Sequence, residues 1–360
     1  MDKKPKVLVV GSGIVGASIA LSCQNLGADV VVLEQGKLGG VASGNSFGWI
    51  NASFASSHAY FELRDAAVNT FQQLSTQIDW IDCVRWQGTL WWEASGPDLK
   101  KHFANLRDRG YPAKFLNKNE IKVLEPQLKD IPEEGILTPL EGAGQADKVS
   151  LAMLARLMAG GGQVISGCAV TAVDFSSGRV SGVQTTVGDI ACDLVVIATG
   201  AAAQHGLLGV DWALPMQNKK GVILQTQPVP HLINHIIMTN DVHFKQNLDG
   251  SLTAGEIFNG DLDKGNVPLD LAADVMFRLQ KKFHGIPKLN LIDVKIGSRP
   301  VPIDGFPVVG NIPEHEGVFI AVMHSGVTLS PLVGQLLASE MLQISESTLL
   351  ATFRPNRFQA

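Results

Sequence analysis

The chain has 360 residues, 45% of them hydrophobic and 18% charged, and its 29 basic against 34 acidic residues leave a net charge of −5. That length is ample for two globular units with a real core, and the composition excludes a disordered chain. The acidic balance argues against nucleic acid as the main partner, because a phosphate-binding face shows as a basic excess.

Four cysteines (Cys23, Cys83, Cys168 and Cys192) are widely spaced, with no CxxC pair. That usage predicts reduced, buried thiols in a cytoplasmic protein, and no metal site. Residues 6–23, KVLVVGSGIVGASIALSC, open on the last of three lysines (Lys3, Lys4 and Lys6) and so resemble the start of an export signal. What comes next favours another reading. VLVV suits a buried parallel strand, SGIVGASIALSCQNLG continues at helical spacing, and ADVVVLE supplies a second strand ending in Glu34. Strand, glycine turn, helix, strand and acid within about thirty residues form a dinucleotide-binding fingerprint. Gly11 allows the tight turn, Gly13 lets backbone approach a pyrophosphate, and Gly16 brings the helix close to the sheet. Glu34 stands where a carboxylate accepts from ribose hydroxyls.

Residues 35–57, QGKLGGVASGNSFGWINASFASS, are lean in side chains, as close approach to a bulky ring requires. Trp49, Ile50 and Phe54 make it an ordered wall rather than a floppy loop. Residues 163–200 read as a β-meander with turns at SSGR and VGD, then a buried strand LVVIATG ending at Thr199 and Gly200. Near the end, VFIAVM is a strand, HSG a turn, and Ser330–Pro331 a cap and first-turn proline opening a helix through Met341. That punctuation excludes a membrane span, although no charge lies between Glu316 and Glu340.

Taken together these pieces resemble the D-amino-acid oxidase superfamily of FAD-dependent oxidoreductases, which includes glycine oxidase, sarcosine oxidase and D-amino-acid dehydrogenase. The resemblance runs through VASGNSFG, WQGTLWWEAS, LEPQL, GRVSGVQTTVGDIACDLVVIATGA, GSRPVPIDGFPVVG and HSGVTLSP. It implies an α/β fold, with a Rossmann-like FAD-binding domain and a second α+β substrate domain on a mixed or antiparallel sheet. Residues 1–80, 143–215 and 291–360 would form the first, and 81–142 with 216–290 the second. It also implies non-covalent FAD held by Gly11, Gly13, Ile14, Val15, Gly16, Glu34 and Gln35, by Ser43, Gly44, Asn45 and Ser46, and by Val170, Thr199 and Gly200. Gly326, Val327, Thr328 and Leu329 would cover the pyrimidine end of the flavin.

Arg299 of the RP segment matches the arginine that grips the substrate carboxylate, which suits a guanidinium fork. Two histidines, His243 and His324, are further candidates for the catalytic site. The implied reaction oxidises the C–N bond of a small amino acid or N-substituted amino acid by hydride transfer to flavin N5, giving an imine and then an oxo acid. Two alternatives stay open: a subunit passing electrons to a partner or quinone, and a relative modifying a tRNA-borne amino-acid group. Association with copies of itself or a partner subunit is likewise open. The tyrosine that several relatives place over the substrate has His243 in its stead.

Overall fold

The computed structural model describes residues 4–77, 83–258 and 269–359. Among them a six-stranded sheet runs in the order Gln163–Ser166, Asp29–Glu34, Lys6–Val10, Leu194–Ile197, Val318–Val322 and Val308–Asn311. The first five are mutually parallel and the last is antiparallel. Parallel strands are covered on both faces, which is why VLVV, VVVL and LVVI are continuous apolar runs. Their alternation still divides two cores. Val7, Val9, Val30 and Val32 face one with Ala17, Leu329 and Val333, while Leu8, Val10, Val31 and Leu33 face another with Val173 and Val183.

The second core lies under an antiparallel meander of Val170–Ser176, Arg179–Thr185 and Ile190–Ala191. As expected, its turns fall at Ser177–Gly178 and Gly188, where φ is positive. Gln163–Ser166 does not join this meander but forms the edge of the parallel sheet.

On the other side lie helices Ile14–Asn25 and Gly326–Met341, in close contact. A Cβ on Gly334 would lie 2.3 Å from Ser18 Oγ, and that hydroxyl donates to the Ser330 carbonyl at 2.7 Å. The later helix starts earlier than its sequence suggests. Ser325, in the left-handed region at φ 57°, is its N-cap, and Pro331 sits inside it. Proline cannot serve the carbonyl four residues back, here that of Val327, and the Ser330 hydroxyl donates to it at 3.4 Å instead.

An eight-stranded mixed sheet forms the second layer, ordered Leu291–Pro302, Met216–Thr226, Leu252–Phe258, His243–Gln246, Ile236–Thr239, Thr89–Trp92, Glu134–Thr138 and Lys114–Asn117. The strand Leu291–Pro302, assigned from the sequence to the flavin unit, pairs along its whole length with Met216–Thr226. The expected boundary at residue 291 therefore falls where that sheet begins its edge strand. The boundary expected at 80/81 lies outside the described residues. One face of the sheet carries Leu90, Val222, Leu224, Ile237, Phe244 and Ala254, packed against Val275 and Leu279 of helix Leu269–Lys281. The opposite face meets the loop after Glu34. A Cβ on Gly297 would lie 2.7 Å from Asn45 O, and one on Gly255 would lie 3.5 Å from the Phe47 ring. No helix among the described residues is long and apolar enough to cross a membrane.

Candidate functional site

The glycine turn is built as its pattern predicts. Gly11 has φ +108°, and a Cβ there would lie 2.6 Å from Ala198 O. A Cβ on Gly16 would be 2.0 Å from Gly11 O. Gly13 is the N-cap of helix Ile14–Asn25 and supplies no side chain to cap it, so the helix's positive end faces the turn. Glu34 Oε2 accepts from Ser12 N at 2.9 Å and from Ser12 Oγ at 2.8 Å, while Oε1 accepts from Gly36 N at 2.8 Å.

Two contributors escaped sequence reasoning. Ser12, the unspecified position between the first two glycines, is fully buried and also accepts from Gly39 N and, at its carbonyl, from Ser150 Oγ. Gly40 comes so close that its Cβ would lie 2.5 Å from Gly13 Cα. Its neighbour in a GG pair was the available signal.

The predicted loop residues are pinned between both layers. Ser43 Oγ accepts from Ile14 N at 3.1 Å, and Asn45 Nδ2 donates to Ile296 O at 2.9 Å. Gly44 O accepts from Lys295 Nζ, and Ser46 Oγ accepts from Gly48 N. Thr199 lies against Gly11, and Gly200, at φ 57°, starts a short 3-10 turn. Val170 is buried at the start of the meander, just after Cys168 N donates to Glu34 O. Gln35 is exposed, and its side chain forms no hydrogen bond or ion pair with a described residue.

Gly326 packs beside Val15, Thr328 Oγ1 accepts from Asn51 N, and Leu329 is buried in the core. Gly326, Val327, Thr328 and Leu329 form the first turn of their helix.

Arg299, His243 and His324 converge beyond this cradle. Arg299 and His243 share the loop-facing side of the eight-stranded sheet. Arg299 forms no hydrogen bond or ion pair with any described residue, and its guanidinium lies over Gly221, where a Cβ would sit 2.9 Å from Nη2. Burial and the Arg299 charge push His243 down to about 4. Burial, then Arg299, Arg64 and Lys219, push His324 to about 4 as well. Both rings are therefore neutral near pH 7. His243 Nδ1 is buried without a hydrogen bond, although Glu93 Oε1 lies 3.2 Å away; burial raises that carboxyl.

An aromatic wall of Trp49, Phe54, Trp91 and His102 adjoins them, with ring centroids 4.5 to 5.4 Å apart. Trp49 Nε1 donates to Thr89 Oγ1 and to the fully buried Glu141, whose carboxyl is raised chiefly by burial. Lys245, also missed, is 4% exposed; burial lowers it to about 8, and Nζ donates to Gly144 O. No group of three potential metal ligands occurs among the described residues.

The residues present fit an adenine dinucleotide. Gly11, Gly16 and Gly40 have no room for a side chain, a helix end faces the turn, and a carboxylate terminates the second strand. Comparison with known proteins agrees. The FAD dependent oxidoreductase (DAO) family pattern matches residues 6–340. The glycine oxidase of Geobacillus kaustophilus is 28% identical over 99% of this chain and 98% of its own. The crystal structure of glycine oxidase from Geobacillus kaustophilus superposes with TM-score 0.89 at 24% identity, covering 99% and 100% of the two chains, which supports the fold. Hydrogen cyanide synthase subunit HcnC of Pseudomonas aeruginosa is 26% identical over 68% of this chain and 60% of its own. The chain belongs to the DAO family of FAD-dependent oxidoreductases.

Proposed function

We propose that this enzyme oxidises the C–N bond of a small amino acid or N-substituted amino acid, with Arg299 gripping the substrate carboxylate. The observation that carries this reading is a guanidinium unpaired among the described residues and laid across Gly221, beside two neutral imidazoles. An arginine held there without an acid leaves its fork open to a ligand carboxylate. FAD, when bound, accepts the two electrons of the substrate's α C–H bond.

The chain's own residues do the rest. Arg299 fixes the substrate's orientation, and the Trp49–Phe54–Trp91 wall keeps water from the reacting face. The substrate reacts as its free amine, since only that form yields its hydride readily, and the neutral His243 and His324 rings add no positive charge beside Arg299. The glycine oxidase likeness supports an amino-acid donor. Within this reading residues 1–80, 143–215 and those after about 303 hold the flavin, and the eight-stranded sheet roofs it.

Anaerobic mixing of the holoenzyme with D-amino acids, proline derivatives and N-methyl amino acids tests the reaction through bleaching of the flavin band. Arg299→Lys should raise KM strongly while leaving bound flavin in place; unchanged kinetics would refute the anchor. A second reading, as one subunit of a larger oxidoreductase, draws on the likeness to a synthase subunit. Reduction of the purified chain by substrate without turnover under oxygen would favour it.

A further inference from the structure

Lys219 and Arg299 are direct register partners on adjacent antiparallel strands. Their side chains therefore leave the sheet on one face, with Cβ atoms about 5 Å apart. It is the face that meets the loop after Glu34, because Gly297, two residues before Arg299, abuts Asn45 O. Like charges directly opposite each other destabilise a sheet, so the pairing needs a compensating anion.

Among the described residues none is supplied. Neither side chain forms a hydrogen bond or ion pair with a described residue. The other cations of this region are engaged. Lys295 lies 3.3 Å from Asp293 Oδ2, Lys245 donates to Gly144 O, and Arg64 is buried on Asn51 and Phe54 carbonyls. The two open cations differ in depth. Arg299 is half-buried, its guanidinium drawn over Gly221, whereas Lys219 is exposed. One cation thus lies deeper and the other toward solvent on a single face.

We propose that the site is built for an amino acid carrying a second carboxylate, an acidic or N-carboxymethyl amino acid. Arg299 takes the inner carboxylate and Lys219 the outer one. The inference rests on the reading of Arg299 given above and adds the substrate class. A single carboxylate on Arg299 would leave Lys219 without an anion, whereas a short diacid neutralises both.

Two unreactive sulfur analogues test it: thiodiacetate, with two carboxylates, and (methylthio)acetate, with one. Each is titrated into the holoenzyme and followed by the flavin spectrum and by calorimetry. Thiodiacetate should bind on the order of five- to tenfold more tightly, the scale of one partly exposed ion pair. Raising the salt concentration should narrow the ratio, because Lys219 is open to solvent. Lys219→Met should bring the ratio towards one, and Lys219→Arg should restore it. Equal affinities in the unaltered protein, or a ratio that Lys219→Met leaves intact, overturn the inference while Arg299 as anchor stands. If neither analogue binds and no amino acid bleaches the flavin, the anchor falls with it.

Discussion

Glu34 and Ser12 are locked together: one carboxylate oxygen takes both the backbone N–H and the hydroxyl of the serine, at 2.9 and 2.8 Å. The acid at the end of the second strand therefore shapes the phosphate-facing turn as well as offering itself to a ribose. Replacing Glu34 by Gln turns charge-assisted bonds into neutral ones, which are roughly half as strong. Flavin affinity should fall about ten- to hundredfold. Equilibrium dialysis of the reconstituted variant measures this.

Gly13 and Gly16 should fail differently when changed to alanine. At Gly16 the new methyl would meet backbone at 2.0 Å, so the helix must move off the sheet, at a cost of about 1–3 kcal/mol. At Gly13 the nearest chain atom would be 3.5 Å away, an ordinary contact. Gly16→Ala should lower the thermal midpoint of the apoprotein. Gly13→Ala should leave that midpoint nearly unchanged and weaken flavin binding.

Acid should loosen the enzyme through His243 and His324. Folded, both rings stay neutral down to about pH 4. In the unfolded chain each takes a proton below about pH 6.5. The unfolded state then binds more protons, so stability is lost as pH falls from about 6.5 towards 4. Urea midpoints at pH 7 and pH 5 should differ less in His243→Gln than in the unaltered protein.

Lys245 works at the alkaline end. Burial lowers it to about 8, against about 10.4 in the unfolded chain. Between those values the unfolded state again holds the extra proton, so stability rises with pH. Lys245→Met should remove that rise and give a higher urea midpoint at pH 7. The two proteins should converge near pH 10.

The parallel sheet and its glycine turn were legible because they are local: strand, turn, helix and strand follow one another, and burial on both faces writes an unbroken apolar run. Leu291–Pro302 was not, because its partner lies at Met216–Thr226 and nothing within its own span records that pairing. The start of the last helix was misread for a different reason. Ser330–Pro331 has the form of a cap, and only the donation from Ser330 to Val327 shows how a proline fits inside. At the site, Arg299, Glu34 and the glycines carry their chemistry in their type and spacing. Ser12 occupies a position the motif leaves blank, and Lys245 is a lysine that pattern would put in water. Neutral His243 depends on neighbours from three other strands.

The strand Lys6–Val10 is made well before its neighbours, for Val7 must wait for Leu194, and Val195 in turn for Val318. Until then a sticky ribbon of valine has Asp29–Glu34 on one side and lacks its other flank, so the nascent polypeptide has to be shielded until the later strands emerge. Truncated genes ending before Val318 should accordingly yield aggregates, and chaperone supply during translation should govern how much enzyme a cell obtains.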